Sequence, residues 1–238
     1  MFNFNLLCIN TAPSDNFILA ANYFMNSNLI SYYKDRAKEY EKIYARPERQ
    51  GDLLKATQLL QPSFAGRQVL EIACGTGYWT ERIARTAKAI LATDINNTVL
   101  DVAKSKVYSP AEVTFLTADL FNLPIGIRYE SLFGGFIWSH IPLQELNDFL
   151  KVIQSYVVAN GTIVLMDNNY VEGSSLPISD RDEQGNSYQI RQLENGSTHK
   201  VLKNFPTEHF IKNLLKDKAS NLDFISLEYY WILRYKNV

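Results

Sequence analysis

Between Val69 and Thr80 the chain runs Val-Leu-Glu-Ile-Ala-Cys-Gly-Thr-Gly-Tyr-Trp-Thr, and no other stretch constrains the fold as tightly. An apolar run that reads as a buried strand enters a turn carrying Gly75 and Gly77, then continues into a helical pattern. Glycines there allow backbone conformations that a side chain forbids, so the turn can press against a ligand. The theme repeats downstream. Strand patterns over residues 68–73, 89–93, 113–117, 132–138 and 161–166 alternate with helical patterns over 79–86, 98–106 and 143–158. Strands and helices joined by short connections predict an α/β fold, a Rossmann-like, mostly parallel sheet with helices on both faces.

The flanks read differently. Tyr33, Ala37, Tyr40 and Tyr44 share one face of a helix expected over 31–44, and a second helix over 48–60 is expected to stop before Pro62. Residues 1–27 form a poorly specified extension with Asp15 as its single charge and no basic region ahead of an apolar run, so no secretory signal is expected. Met25 is a candidate internal start. After the fifth strand, residues 168–206 read as an insertion: a polar loop, then a β-hairpin joining 188–193 to 198–202 through the Asn195-Gly196 turn. A short helix over 207–216, with Thr207 as N-cap, and aromatic-rich strands within 224–235 close what reads as a single domain from residue 28 to 238.

Composition narrows the function classes. Twenty-four Lys and Arg against 25 Asp and Glu give a net charge of −1, which leaves a nucleic-acid backbone little to bind. Cys8 and Cys74 cannot build a disulfide framework. No apolar run reaches the roughly 18 residues that span a bilayer. A cytoplasmic protein without nucleic-acid or membrane partners is the expectation.

The turn's surroundings define its ligand. Asp94 ends the second strand, 17 residues after Gly77, where a carboxylate can accept from both hydroxyls of a ribose. Asp119 follows the third strand, at the same rim. The third glycine of a dinucleotide turn is replaced by Thr80, and Glu71 lies inside the strand, where it would repel a diphosphate and suit a cation. The ligand should carry a ribose and a positive charge.

With Glu71-Ile72-Ala73-Cys74-Gly75-Thr76-Gly77, Asp94-Ile95, Ala118-Asp119-Leu120 and Phe136-Ile137-Trp138-Ser139-His140 in place, residues 31–167 resemble the class I S-adenosylmethionine-dependent methyltransferases. The resemblance implies a seven-stranded sheet with its last strand antiparallel, and S-adenosylmethionine as cofactor. It implies that the backbone around Ala73, Gly75 and Gly77 holds the methionine end, with Glu71, Cys74 and Thr76 in the same motif. It further implies that Asp94 takes the ribose hydroxyls, Ile95 packs on adenine, Asp119 accepts from the adenine amino group with Leu120 beside the ring, and Trp138 lies near the sulfonium. The helices of residues 28–62 would fold over the cofactor.

Other residues carry two readings. His140, just after the fourth strand, is a candidate general base or a histidine satisfied by local hydrogen bonds. Tyr33 and Tyr40 either pack in the core or cover the cofactor, with Arg36 nearby as a cation. Cys74 reads as a small filler, and His199 and His209 lack metal-ligand spacing. The hairpin, with Arg191 and Lys200, either closes over a small acceptor or forms a homodimer contact. The expected function is methyl transfer to a small molecule by direct in-line displacement. The alternatives are a protein or RNA methyltransferase, a nicotinamide-dependent oxidoreductase, and a regulatory module that binds the cofactor without turnover.

Overall fold

The computed structural model describes residues 27–238; the expectations for residues 1–26, Met25 and Cys8 among them, lie outside the described residues. Helices are α1 Ser27–Arg36, α2 Gln50–Phe64, α3 Tyr78–Ile83, α4 Asn97–Lys104, α5 Leu146–Ser155 and α6 Glu208–Leu215. Strands are β1 Gln68–Ile72, β2 Ala89–Asp94, β3 Glu112–Thr117, β4 Tyr129–Gly135, β5 Val157–Asn168, β6 Asp180–Arg181, β7 Ser187–Gln192, β8 Thr198–Leu202, β9 Ala219–Ser226 and β10 Tyr230–Asn237.

Seven strands form the main sheet in the order β3-β2-β1-β4-β5-β10-β9. Strands β1 to β5 pair in parallel, and β10 runs antiparallel to β5 and β9. Period-two alternation splits the core into two layers. Val69 packs with Leu60 and Phe64 of α2 and Ile83 of α3. Its neighbour Leu70 packs on the opposite face with Phe149 and Ile153 of α5 and Ile211 of α6. Each such side chain removed from water contributes about 1.5–3 kcal/mol. Among the described residues no helix is long and apolar enough to cross a membrane.

The N-terminal helix ends earlier than its tyrosine spacing suggests. α1 stops at Arg36, and a separate 3-10 turn spans Tyr40–Ala45. The break lets the aromatic rings converge: Tyr33 meets Tyr40, and Tyr44 stacks on Tyr78 of α3 with centroids 3.6 Å apart. Pro62 does not end α2, because it sits in the last turn and costs one N–H, while Leu60 and Phe64 are fully buried one turn apart. Asn160-Gly161 ends no helix. α5 stops at Ser155, and Asn160, with φ +60°, lies in an irregularity of β5, where the pairing with β4 shifts register. Fully buried Val157 extends β5 back toward Tyr129.

The insertion forms the predicted hairpin of β7 and β8, with β6 as a third strand. It is not a free flap. Leu193 and Val201 pack against Leu29 and Tyr32 of α1. Lys203, just after β8, forms a buried ion pair with Asp167 of β5 at 2.8 Å and donates to Ser139 Oγ.

Candidate active site

Strand order reverses between β1 and β4, and ligands of open parallel sheets bind at the carboxyl ends of strands beside such a point. Ala73 and Phe136, the residues that follow β1 and β4, adopt left-handed φ values of +51° and +61°. Each such conformation costs roughly 1–2 kcal/mol for a residue with a side chain. Paired strain of this kind at two strand ends marks a functional rim.

A cleft opens there, enclosing about 760 Å³ of space when the open mouth is included. Tyr33 and Tyr40 cover it; Ala73, Gly75 and Thr76 form the turn side; Asp94, Ile95 and Leu120 line the far end; His140 lines the near end. Asp94 Oδ2 accepts from the Gly75 amide and Oδ1 from the Asn96 amide, both at 2.9 Å. Burial raises its carboxyl to about 6, against the lowering effect of those amides. Thr76 Oγ1 donates to Glu41 at 2.7 Å, and Glu41 also pairs with Lys106, so the 3-10 turn is strapped to the glycine loop.

Not every expected residue faces this cleft. Glu71 and Cys74 line a smaller adjoining pocket with Tyr78 and Trp79. Burial pushes the Glu71 carboxyl up to about 8, and its Oε2 has no partner among the described residues. Gly77, at φ +77°, opens α3, and a side chain there would collide with Tyr108 and crowd Ala103 of α4. It serves packing between elements. Asp119 turns its carboxylate onto the Phe121 amide at 2.9 Å, and the rim beside it is made by Ala118 and Leu120. Trp138 is a correction. It is buried among Trp231 and Phe149, because the left-handed Phe136 reverses the strand's alternation and brings Phe136 and Ile137 to the cleft. Leu29, Ile30, Asn96, Val99 and Gly135 are lining residues that pattern alone does not single out.

His140 meets Tyr33 across 107 positions of sequence: Nε2 and the Tyr33 hydroxyl are 2.7 Å apart. Nδ1 lies 2.7 Å from the Leu202 carbonyl. A carbonyl only accepts, so Nδ1 carries the hydrogen, and Nε2 is the lone pair that accepts from Tyr33. Burial, with Lys203 and Arg191 nearby, holds His140 well below its ordinary value, and burial raises Tyr33. Past these two residues lies a second, more open cavity of about 1360 Å³, walled by α1, the 3-10 turns, the loop after β5 and the hairpin; it shares Tyr33, Tyr40 and Phe136 with the cleft.

The residues present suit S-adenosylmethionine. The buried, unpartnered Glu71 oxygen faces the turn, and a Cβ on Gly75, at φ +56°, would project into open space beside Asp94. A carboxylate and a glycine cradle are the donor set for a ribose and a cationic amino acid.

Residues 69–161 match a family model described as a methyltransferase domain. An uncharacterized methyltransferase of Alkaliphilus oremlandii (strain OhILAs) is 21% identical over 132 residues, 56% of this chain and 58% of that protein. The chain thus spans less than two thirds of the curated relative it matches. DhpI in complex with SAH superposes with a TM-score of 0.73 at 22% identity, covering 88% of this chain and 95% of that one. The DhpI-SAM-HEP complex gives 0.70 at 21%, covering 94% and 99%. Magnesium protoporphyrin IX methyltransferase (ChlM) from Synechocystis PCC 6803, with bound SAM, gives 0.55 at 18%, covering 96% and 100%. Residues 69–161 thus match a methyltransferase domain, and the strand order and glycine turn share the fold of these methyltransferase structures.

Proposed function

We propose that this chain transfers the methyl group of S-adenosylmethionine to a small-molecule acceptor by direct in-line displacement. The observation that carries this reading is the pair of cavities meeting at Tyr33, Tyr40 and Phe136. One suits a nucleoside. The other adjoins it at those three residues and would receive an acceptor. ChlM, by its name, acts on a small molecule, and the hairpin that roofs the second cavity favours such an acceptor over a macromolecule.

When bound, S-adenosylmethionine supplies an electrophilic methyl on a sulfonium. Asp94 and the Gly75 turn would hold its ribose, Ile95 and Leu120 would line its base, and Glu71, in the adjoining pocket, would complement its positive charge. The faces of Tyr40 and Phe136 stabilise positive charge at the junction. From residues 28–62, Leu29, Ile30, Tyr33 and Tyr40 line the cleft and would cover the cofactor. The Tyr33 hydroxyl stands between His140 Nε2 and the acceptor cavity. It receives the acceptor's proton while passing its own to Nε2, whose lone pair stays free at neutral pH. Methyl transfer needs positioning and exclusion of water more than a strong base.

A thermal-shift titration tests the reading. Adenosylhomocysteine should raise the melting temperature and NADH should leave it unchanged; the reverse pattern would make the chain a nicotinamide enzyme.

A further inference from the structure

Arg191 of β7 has no ion-pair partner among the described residues. Its Nη2 donates to Gln189 Oε1 at 3.0 Å, its Nη1 reaches the Tyr32 hydroxyl at 3.4 Å, and its Nε is shielded from solvent with no partner among the described residues. Arg36 of α1 is similar, donating to the Tyr32 hydroxyl at 2.7 Å and lying over the Tyr40 ring. Of the acidic groups nearby, Glu194 pairs with Lys42 and Asp167 with Lys203, and Glu39, on the same cavity wall, makes no ion pair with either arginine. A guanidinium removed from water without a carboxylate is unfavourable unless an anion completes it.

We propose that Arg191 is the acceptor-binding residue and that the acceptor carries an anionic oxo group, a carboxylate or phosphonate, next to the atom that is methylated. The proposal rests on the methyltransferase reading above. The planar fork of a guanidinium matches such a group with two parallel hydrogen bonds. Placement separates it from the cofactor's own carboxylate. Arg191 lines the outer cavity and not the cleft holding Asp94, with Tyr33 between them. An anion on Arg191 sets the atom attached to it against the Tyr33 hydroxyl, where the two cavities join.

The test uses the whole chain, with and without saturating adenosylhomocysteine, titrated with methylphosphonate, acetate and neutral acetamide at constant ionic strength. Calorimetry and thermal shift are read. Methylphosphonate or acetate should bind and acetamide should not, and the tighter of the two anions identifies the acceptor class. Arg191→Gln should weaken that anion by about tenfold or more, the scale of a lost charge-assisted bond, with adenosylhomocysteine affinity changed less than about twofold. Arg191→Lys should retain part of the anion affinity, and it carries the comparison if the glutamine variant fails to fold. Absence of anion binding, or an Arg191→Gln variant that loses adenosylhomocysteine and keeps the anion, overturns the proposal. Failure of adenosylhomocysteine itself to bind removes the methyltransferase reading instead, while the anion titrations without it still decide whether Arg191 holds an anion.

Discussion

The two cavities are built on different principles. The floor of the inner cleft is made by strand ends: backbone at Ala73 and Gly75, one carboxylate at Asp94, and apolar residues such as Ile95, Leu120 and Phe136, with Tyr33 and Tyr40 over it. The outer cavity is made by side chains from α1, the 3-10 turns and the hairpin, with Tyr33 and Arg191 more than 150 residues apart in the chain. Strand ends held by a buried sheet stay put while sequences vary, so the inner cleft suits a shared cofactor. Aromatic and basic side chains on appended elements can change without disturbing that sheet, so the outer cavity suits an individual acceptor.

Changes that separate the two cavities test this contrast. The largest effect is expected at their junction. Tyr33→Phe and His140→Gln should each lower turnover by about 10²-fold, the scale of general acid–base assistance, with adenosylhomocysteine affinity within about twofold. Equal losses in both would place the pair in the cofactor site. Gly77→Ala should come next, because φ +77° and the contact with Tyr108 penalise any side chain. A loss of about 1–3 kcal/mol in urea unfolding is expected, and unchanged stability would show that α3 and α4 can separate without cost. Trp138→Phe should cost about 1–2 kcal/mol of stability through lost packing and leave cofactor affinity unchanged; weaker cofactor binding would return Trp138 to the cleft.

The smallest effect is a pH dependence. Burial raises Glu71 from its ordinary 4.5 to about 8. As pH climbs through that window the unfolded chain releases the proton first, so stability of the ligand-free protein falls. Asp94 acts in the same sense only up to about 6. Between pH 6.5 and 8, Glu71→Gln should therefore flatten the decline of the melting temperature, and an unchanged slope would remove Glu71 as its source.

The same contrast governs what could be read from the chain before folding. The glycine turn, Asp94 and the strand alternation are local signals, because one strand, one turn and one carboxylate suffice to define them. Trp138 and Phe136 show where local reading stops. The strand's period-two pattern continues on paper through Trp138, but one left-handed residue after Gly135 reverses it. Asp119 lies at the expected rim, yet its carboxylate satisfies the Phe121 amide. The hydrogen bond between Tyr33 and His140 and the unpaired Arg191 depend on how α1 and the hairpin dock, and no short segment encodes that.

Whether the reversal point between β1 and β4 holds the cofactor through Asp94 is decided by calorimetric titration of adenosylhomocysteine into the unaltered chain and into Asp94→Ala. One site per chain is expected, with a loss of about tenfold to a hundredfold in the variant, the worth of one or two charge-assisted hydrogen bonds. Equal affinity for the two proteins would contradict it.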